Sequence, residues 1–142
     1  MAERAEKLMT VDEFLRWDDG TDTRYELIDG QVVAMAPLTR QHGVIVMNVG
    51  TLLNTRLRRR PPCRAQGEAG IVIGEHRRWQ ADVVVTCQPA TPDIDDPLLT
   101  VEVLSPLTRA IDLARKVPDY KSLPGVREIW LVDSERRWVQ VW

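Results

Sequence analysis

Asp82 and Glu102 each stand in or beside a short run of β-branched residues, Ala81-Asp82-Val83-Val84-Val85 and Leu99-Thr100-Val101-Glu102-Val103-Leu104. A carboxylate that interrupts an apolar strand is costly to bury unless it is paired or binds a cation. A helix-like segment carrying Asp112, Lys116 and Tyr120 follows closely. Two carboxylates on neighbouring strands, with an amine beside them, suit the holding of a hard divalent ion against a phosphodiester. Mg²⁺ fits such oxygen ligands, because it takes only one or two protein carboxylates and keeps several waters. A plainer account has Asp82 capping a strand and Glu102 paired with an arginine at the sheet edge. Spacing alone leaves both accounts open.

The other candidates divide in the same way. Asp112, Lys116 and Tyr120 are spaced four apart and share one helical stripe. Asp112 before Lys116 is by default an ordinary surface ion pair of about 0.3–0.5 kcal/mol. Its functional alternative has Lys116 stabilising charge on a phosphate or positioning an attacking water. Glu26 is the conspicuous polar residue of Tyr25-Glu26-Leu27-Ile28, a third metal ligand or simply the solvent-facing member of a half-buried strand. His42 is a base, a phosphate contact or a structural histidine. The Arg56–Arg60 run is a phosphate contact or a solvated helix end. Ser105 lacks the Gly-x-Ser-x-Gly elbow of a nucleophile, so helix entry explains it better.

The elements that must position these residues are legible. Thr10-Val11-Asp12-Glu13 is a capping box opening a short helix through about Trp17, ended by Asp18-Asp19-Gly20. Asp29-Gly30 between two β-type runs is the strongest hairpin signal in the chain, and Pro37 breaks its second strand. Ile45, Val49, Leu52, Leu53 and Leu57 fall at helical spacing within 39–60, and Pro61-Pro62 stops that helix. Strands are predicted at about 63–66, 70–74 and 79–86, a loop over 88–97, and a nearly continuous apolar strand over 98–104. Such a strand is expected where both faces of a sheet are covered. Thr108 is a candidate N-cap for a helix to about Leu123, with a kink or 3₁₀ turn at Pro118. Strands over 127–132 and 138–142 complete the order, and the chain stops inside the last one. The pattern predicts an α/β sandwich of one sheet with flanking helices.

The sequence has 142 residues, enough for one domain spanning 1–142, with residues 1–8 expected to be flexible. No apolar stretch approaches the roughly 20 residues that cross a bilayer, and the charged N-terminus has no signal-peptide core. Cys63 and Cys87 are isolated in sequence, so neither a zinc site nor a disulfide framework is expected, and a reducing cytoplasm is the natural setting. The formal charge of −2 weighs mildly against non-specific nucleic-acid binding. The cations nonetheless cluster at Arg56–Arg60, and the anions at Asp18-Asp19 and Asp93–Asp96, so a dipolar surface is expected.

Together these residues resemble a known family. Tyr25-Glu26-Leu27-Ile28-Asp29-Gly30, His42, Ala81–Val85, Glu102–Arg109 with Asp112, Lys116 and Tyr120, and Gly125–Asp133 occur in the order of the bacterial Uma-type endonucleases. Those belong to the PD-(D/E)xK, restriction-endonuclease-like superfamily. The resemblance implies a mixed β-sheet flanked by helices, with an N-terminal helix and β-hairpin and an acidic metal site at one edge. It implies a Mg²⁺- (or Mn²⁺-) dependent DNA endonuclease in which Asp82 and Glu102 bind metal, Glu26 adds a further acid and Lys116 supplies the amine. Leu104 occupies the usual lysine position, and Ala81 replaces the motif proline. His42, Arg109 and Tyr120 are candidate substrate contacts. DNA is the expected partner and a homodimer a possible one. The rival is a non-catalytic module that keeps the fold for protein or nucleic-acid association.

Overall fold

The computed structural model describes residues 7–142. Most of the flexibility expected of residues 1–8 therefore lies outside the described residues. Helix α1 (Val11–Arg16) begins at Thr10, whose hydroxyl accepts from the Glu13 N–H at 3.1 Å. Strands β1 (Tyr25–Ile28) and β2 (Gln31–Ala34) form the hairpin. Asp29 and Gly30 both have positive φ, 51° and 78°, as the tight turn requires. An added Cβ at Gly30 would stand 2.6 Å from Leu8 Cβ, so this turn also needs the missing side chain.

Helix α2 (Arg40–Leu57) follows an N-cap at Thr39. Strands β3 (Arg64–Val72) and β4 (Arg78–Thr86) pair antiparallel along their length. The two short strands predicted over 63–74 are thus one. The predicted loop over 88–97 contains a two-residue strand, β5 (Asp93–Ile94), parallel to β3. Strand β6 (Pro97–Leu104) pairs antiparallel with β4 and parallel with β7 (Glu128–Asp133), and β8 (Val139–Val141) closes that edge. Among the described residues eight strands form one mixed sheet, with the path β2-β1-β4-β6-β7-β8 and with β3, which pairs β4 and β5, branching from it. Cys63 and Cys87 stand one step beyond the Arg64↔Thr86 pair and are joined in a disulfide. This corrects the expectation of isolated cysteines: residues 24 apart in sequence meet because the β3–β4 ladder folds back on itself.

Between β6 and β7 the chain is helical from Arg109 to Ser122. Helix α3 (Arg109–Ile111) runs into a π-helical turn (Asp112–Lys116) and on into α4 (Val117–Ser122). The kink or 3₁₀ turn expected at Pro118 is instead this wider turn, in which the Val117 N–H reaches the Asp112 carbonyl. Pro118 has no N–H to give to residue 114, and widening the preceding turn removes the clash of its ring with that carbonyl.

Both sheet faces are covered. Val46, Val49, Leu53 and Leu57 of α2 pack on Val83, Val85, Leu99 and Val101. Leu113, Val117 and Tyr120 pack on Trp79, Ala81, Leu104, Ile129 and Leu131 on the other face. Trp79 and Ala81 face one cluster and Val83 and Val85 the other, so the alternation along β4 reverses at Asp82. Across the ladder, Glu68 takes a left-handed φ of 49°, and neither β3 nor β6 pairs with Asp82. On the edge away from β3, β1 meets β4 only at Leu27↔Arg78, whereas β6 joins it from Val83 onwards. The sheet forks there.

The hairpin turn is tied to the helices from outside. Arg77 bonds both Asp29 and Asp119, Arg115 bonds Asp29 at 2.6 Å, and the Trp79 indole N–H donates to Asp119. The Arg77 and Arg115 guanidiniums hold the Asp29 carboxyl below the usual carboxylate range. That stabilisation is present above the ordinary aspartate pKa and is lost as pH falls through the depressed folded value. Asp29→Asn is therefore expected to flatten the acid limb of a stability–pH curve followed by circular dichroism, with little change below that limb. Gly30→Ala is expected to destabilise the fold by about 1–3 kcal/mol in urea titration, since it meets both the positive φ and Leu8.

Candidate active site

In the fork, side chains complete the bonding that the ladder leaves undone. The Gln80 N–H donates to Glu26 Oε1 at 2.9 Å, and the Gln80 carbonyl accepts from Lys116 Nζ at 3.1 Å. The Val103 N–H donates to Asp82 Oδ2 at 2.7 Å. The register that pairs Val83 with Val101 brings Asp82 opposite Glu102 one step further on. The two acids are cross-strand neighbours where the strands part.

Lys116 lies at the centre. Its Nζ is 2.8 Å from Glu26 Oε1, 3.4 Å from Glu102 Oε1 and 3.6 Å from Asp112 Oδ1. The Trp79 ring centroid is 5.6 Å away, a cation–π contact. The Tyr120 hydroxyl donates to Glu102 Oε1 at 2.6 Å. Glu102 is 2% exposed and Lys116 5%. Burial, reinforced by Asp82 and Asp112 and opposed by Lys116, pushes the Glu102 carboxyl well above the usual range. Burial likewise raises Asp112 to about 6 against the pull of Lys116. Desolvation works against the Lys116 charge, but Glu102, Glu26 and Asp112 outweigh it and hold the ammonium above the ordinary lysine range.

His42, in the first turn of α2, places Nε2 at 3.1 Å from Asp82 Oδ1. The bond to Asp82 raises the imidazole pKa, against the effect of burial. Its Nδ1 is buried without a partner among the described residues. A cleft of about 200 Å³ opens onto Glu26, His42, Asp82, Glu102, Asp112 and Lys116, between apolar walls that include Leu38, Leu107 and Ile111.

The fold thus gathers Glu26, Asp82, Glu102, Lys116 and His42 at one cleft. Glu26 is buried against Lys116, not facing solvent. Glu102 pairs with Lys116 and Tyr120, not with an arginine. Asp112 and Lys116 form a buried pair, where the default account placed them on the surface. Tyr120 is fully buried, with its hydroxyl on Glu102. Arg109 lies apart, bonded to Asp133 at 3.0 Å and stacked over the Trp138 ring. The spacing alone did not point to Trp79 or to the Gln80 backbone. An indole opening a predicted strand carries no signal of a lysine beside it, and a backbone contact leaves no trace in residue type.

The donor chemistry suits a hard cation. Asp82 and Glu102 are oxygen donors with lone pairs to spare, and two carboxylates with retained waters satisfy Mg²⁺. Among the described residues no three His, Cys, Asp or Glu side chains stand close enough to form a closed cage. Part of that space holds the Lys116 ammonium.

Lys116→Met is expected to cost about 3–5 kcal/mol in denaturant unfolding, because it strands buried carboxylates. Tyr120→Phe should cost less, about 1–3 kcal/mol, since Glu102 keeps its lysine.

The chain is 32% identical over 131 residues to an uncharacterized protein of Synechocystis sp. (strain ATCC 27184 / PCC 6803 / Kazusa), slr1290, covering 89% of this chain and 69% of that one. A second protein of that organism, sll1609, is 23% identical over 142 residues, covering 90% and 76%. The fold matches the crystal structure of "a putative nuclease belonging to DUF820" from Anabaena variabilis ATCC 29413 with a TM-score of 0.73. Identity there is 20%, over 94% of this chain and 84% of that one. The architecture is restriction-endonuclease-like. The model of the Uma2 family, described as "Putative restriction endonuclease", matches residues 11–142, and the chain belongs to that family.

Proposed function

We propose that this chain is a metal-dependent DNA endonuclease working as a single domain, with Asp82, Glu102, Lys116 and Glu26 as its site. The observation that carries the proposal is Lys116, a buried ammonium beside Glu102 and one strand from Asp82, at a cleft open to solvent. A hard divalent ion, Mg²⁺ or Mn²⁺, when bound supplies Lewis-acid polarisation of the scissile phosphate and an acidified water. Asp82 and Glu102 would hold that ion. His42 and the Val103 N–H fix the Asp82 head, and Tyr120 fixes Glu102. Lys116, anchored by Glu26, presents positive charge to the phosphate as negative charge builds on its oxygens. The family's description and fold support a nuclease; DNA, the metal and the roles of the residues are the proposed part.

The proposed setting is the cytoplasm, where an endonuclease of this kind would meet its DNA substrate. The cysteines no longer argue for it, since Cys63 and Cys87 are bridged. Among the described residues no helix is long and apolar enough to cross a membrane.

Two observations favour the rival, a binding module without catalysis: Asp82 is already engaged by His42 and Val103, and no closed cage is present among the described residues. Supercoiled plasmid incubated with Mg²⁺ or Mn²⁺ separates the two. Nicking by the wild type is expected to fall at least about a hundredfold in Glu102→Gln and Lys116→Met, the scale of losing a charge that acts in the transition state. Equal background cleavage by all three proteins, each shown folded by circular dichroism, returns the chain to the rival.

A further inference from the structure

Between Asp29 and Glu68 the sequence has no acidic residue, yet Arg40, Arg56, Arg58, Arg59, Arg60 and Arg64 all lie there. The chain as a whole carries −2, so its positive charge is segregated onto α2 and the turn that follows. Elsewhere the arginines are mostly matched: Arg24 with Glu68, Arg77 with Asp29 and Asp119, Arg78 with Asp93, Arg109 with Asp133, Arg115 with Asp29. Arg56, Arg58, Arg59 and Arg60 are all exposed, and none meets a carboxylate among the described residues. Interaction with the helix dipole accounts for cations in the last turn, but it fades within that turn. Arg59 and Arg60 lie beyond it.

The same helix begins at the acidic cleft, where His42 bonds Asp82. With 18 residues, α2 is about 27 Å long. Successive phosphates of one DNA strand advance by about 3.4 Å, so that length matches about 8 base pairs. Alongside the helix runs a groove lined by Gly50, Thr51, Asn54, Thr55, Arg58 and Gln66, uncharged but for the arginine. Apart from the helix's own backbone and the adjoining residues, nothing among the described residues stands within 4 Å of a Cβ added at Gly43 or Gly50, so the helix is open to close approach there.

We infer that Arg56, Arg58, Arg59 and Arg60 form a second phosphate-binding surface, which grips duplex DNA about 8 base pairs from the acidic cleft along α2. The inference rests on the nuclease reading of that cleft, but the arginines touch none of its residues. Their part is affinity and placement on the duplex, with no sequence preference, because they meet only the backbone. The exposed Val44, Met47 and Leu52 on the same helix would suit a protein partner. The charge segregation favours the duplex.

The test is fluorescence anisotropy of a labelled duplex of about 24 base pairs in EDTA, over about 50 to 200 mM salt, a range in which phosphate contacts dominate the affinity. The triple variant Arg58→Ala/Arg59→Ala/Arg60→Ala is expected to bind at least about tenfold more weakly at the lowest salt. Its log K against log salt slope should be shallower by roughly 2–3, near 0.9 per lost contact. The triple lysine variant should restore most of the slope. Arg136→Ala/Arg137→Ala, a charge change elsewhere, should leave most of it intact. An unchanged slope in the alanine triple overturns the inference, as does a wild type that binds no duplex. A change in sedimentation with the slope intact also overturns it, and assigns the surface to a second copy of the chain. Binding is read without metal. A protein that grips duplex through these arginines but never cuts keeps this surface and loses the nuclease reading; one that cuts with an unchanged slope does the reverse.

Discussion

A buried ammonium in a gap of the sheet organises the rest of the structure. Where β1 and β6 part on the free edge of β4, the backbone of Gln80 has no strand to bond, and Glu26 and Lys116 serve it instead. The lysine in turn needs the carboxylates of Glu26, Glu102 and Asp112, and they need it. Remove either side and charge is left in a low-dielectric interior, which is far more destabilising than the pairing is stabilising. The hairpin, the central strands and the C-terminal helix are therefore held to one arrangement by one amine.

That arrangement constrains the helix. Asp112, Lys116 and Tyr120 must all face the sheet, and Pro118 stands among them in a place that an ordinary helix tolerates poorly. The π-helical turn resolves both demands, admitting the proline while keeping the three side chains on the fork. Trp79 then links the inside to the outside. Its ring covers the ammonium, and its N–H reaches Asp119, which Arg77 joins to the hairpin turn at Asp29. The reversal of side-chain facing at Asp82 belongs to the same device: it lets β4 serve both faces of the sheet while turning its one acid toward the cleft.

Much of this was legible residue by residue, and the failures have physical causes. The N-cap at Thr10, the Asp29-Gly30 turn and the apolar β6 were readable because each depends on local conformational preference or on the run of residue types within one segment. The Cys63–Cys87 bridge and the single long β3 were missed because both arise from pairing with β4, a contact between segments. The Asp112–Lys116 spacing was open to a surface reading for the same reason: four residues on a helix fix a stripe, but not which way the stripe faces.

Which residues could do chemistry, the order of the elements that carry them, and the family to which that order belongs are all written in the linear chain. Those properties reside in residue types and short-range spacing, which folding does not alter. The inward facing of Glu26, the bond of Tyr120 to Glu102 and the pairing of Arg109 with Asp133 are set by packing. Those outcomes depend on where the β1–β4–β6 fork opens and on the turn that rotates Lys116 into it. Burial and electrostatic pairing act between segments far apart in the chain, and no local pattern encodes their relative placement.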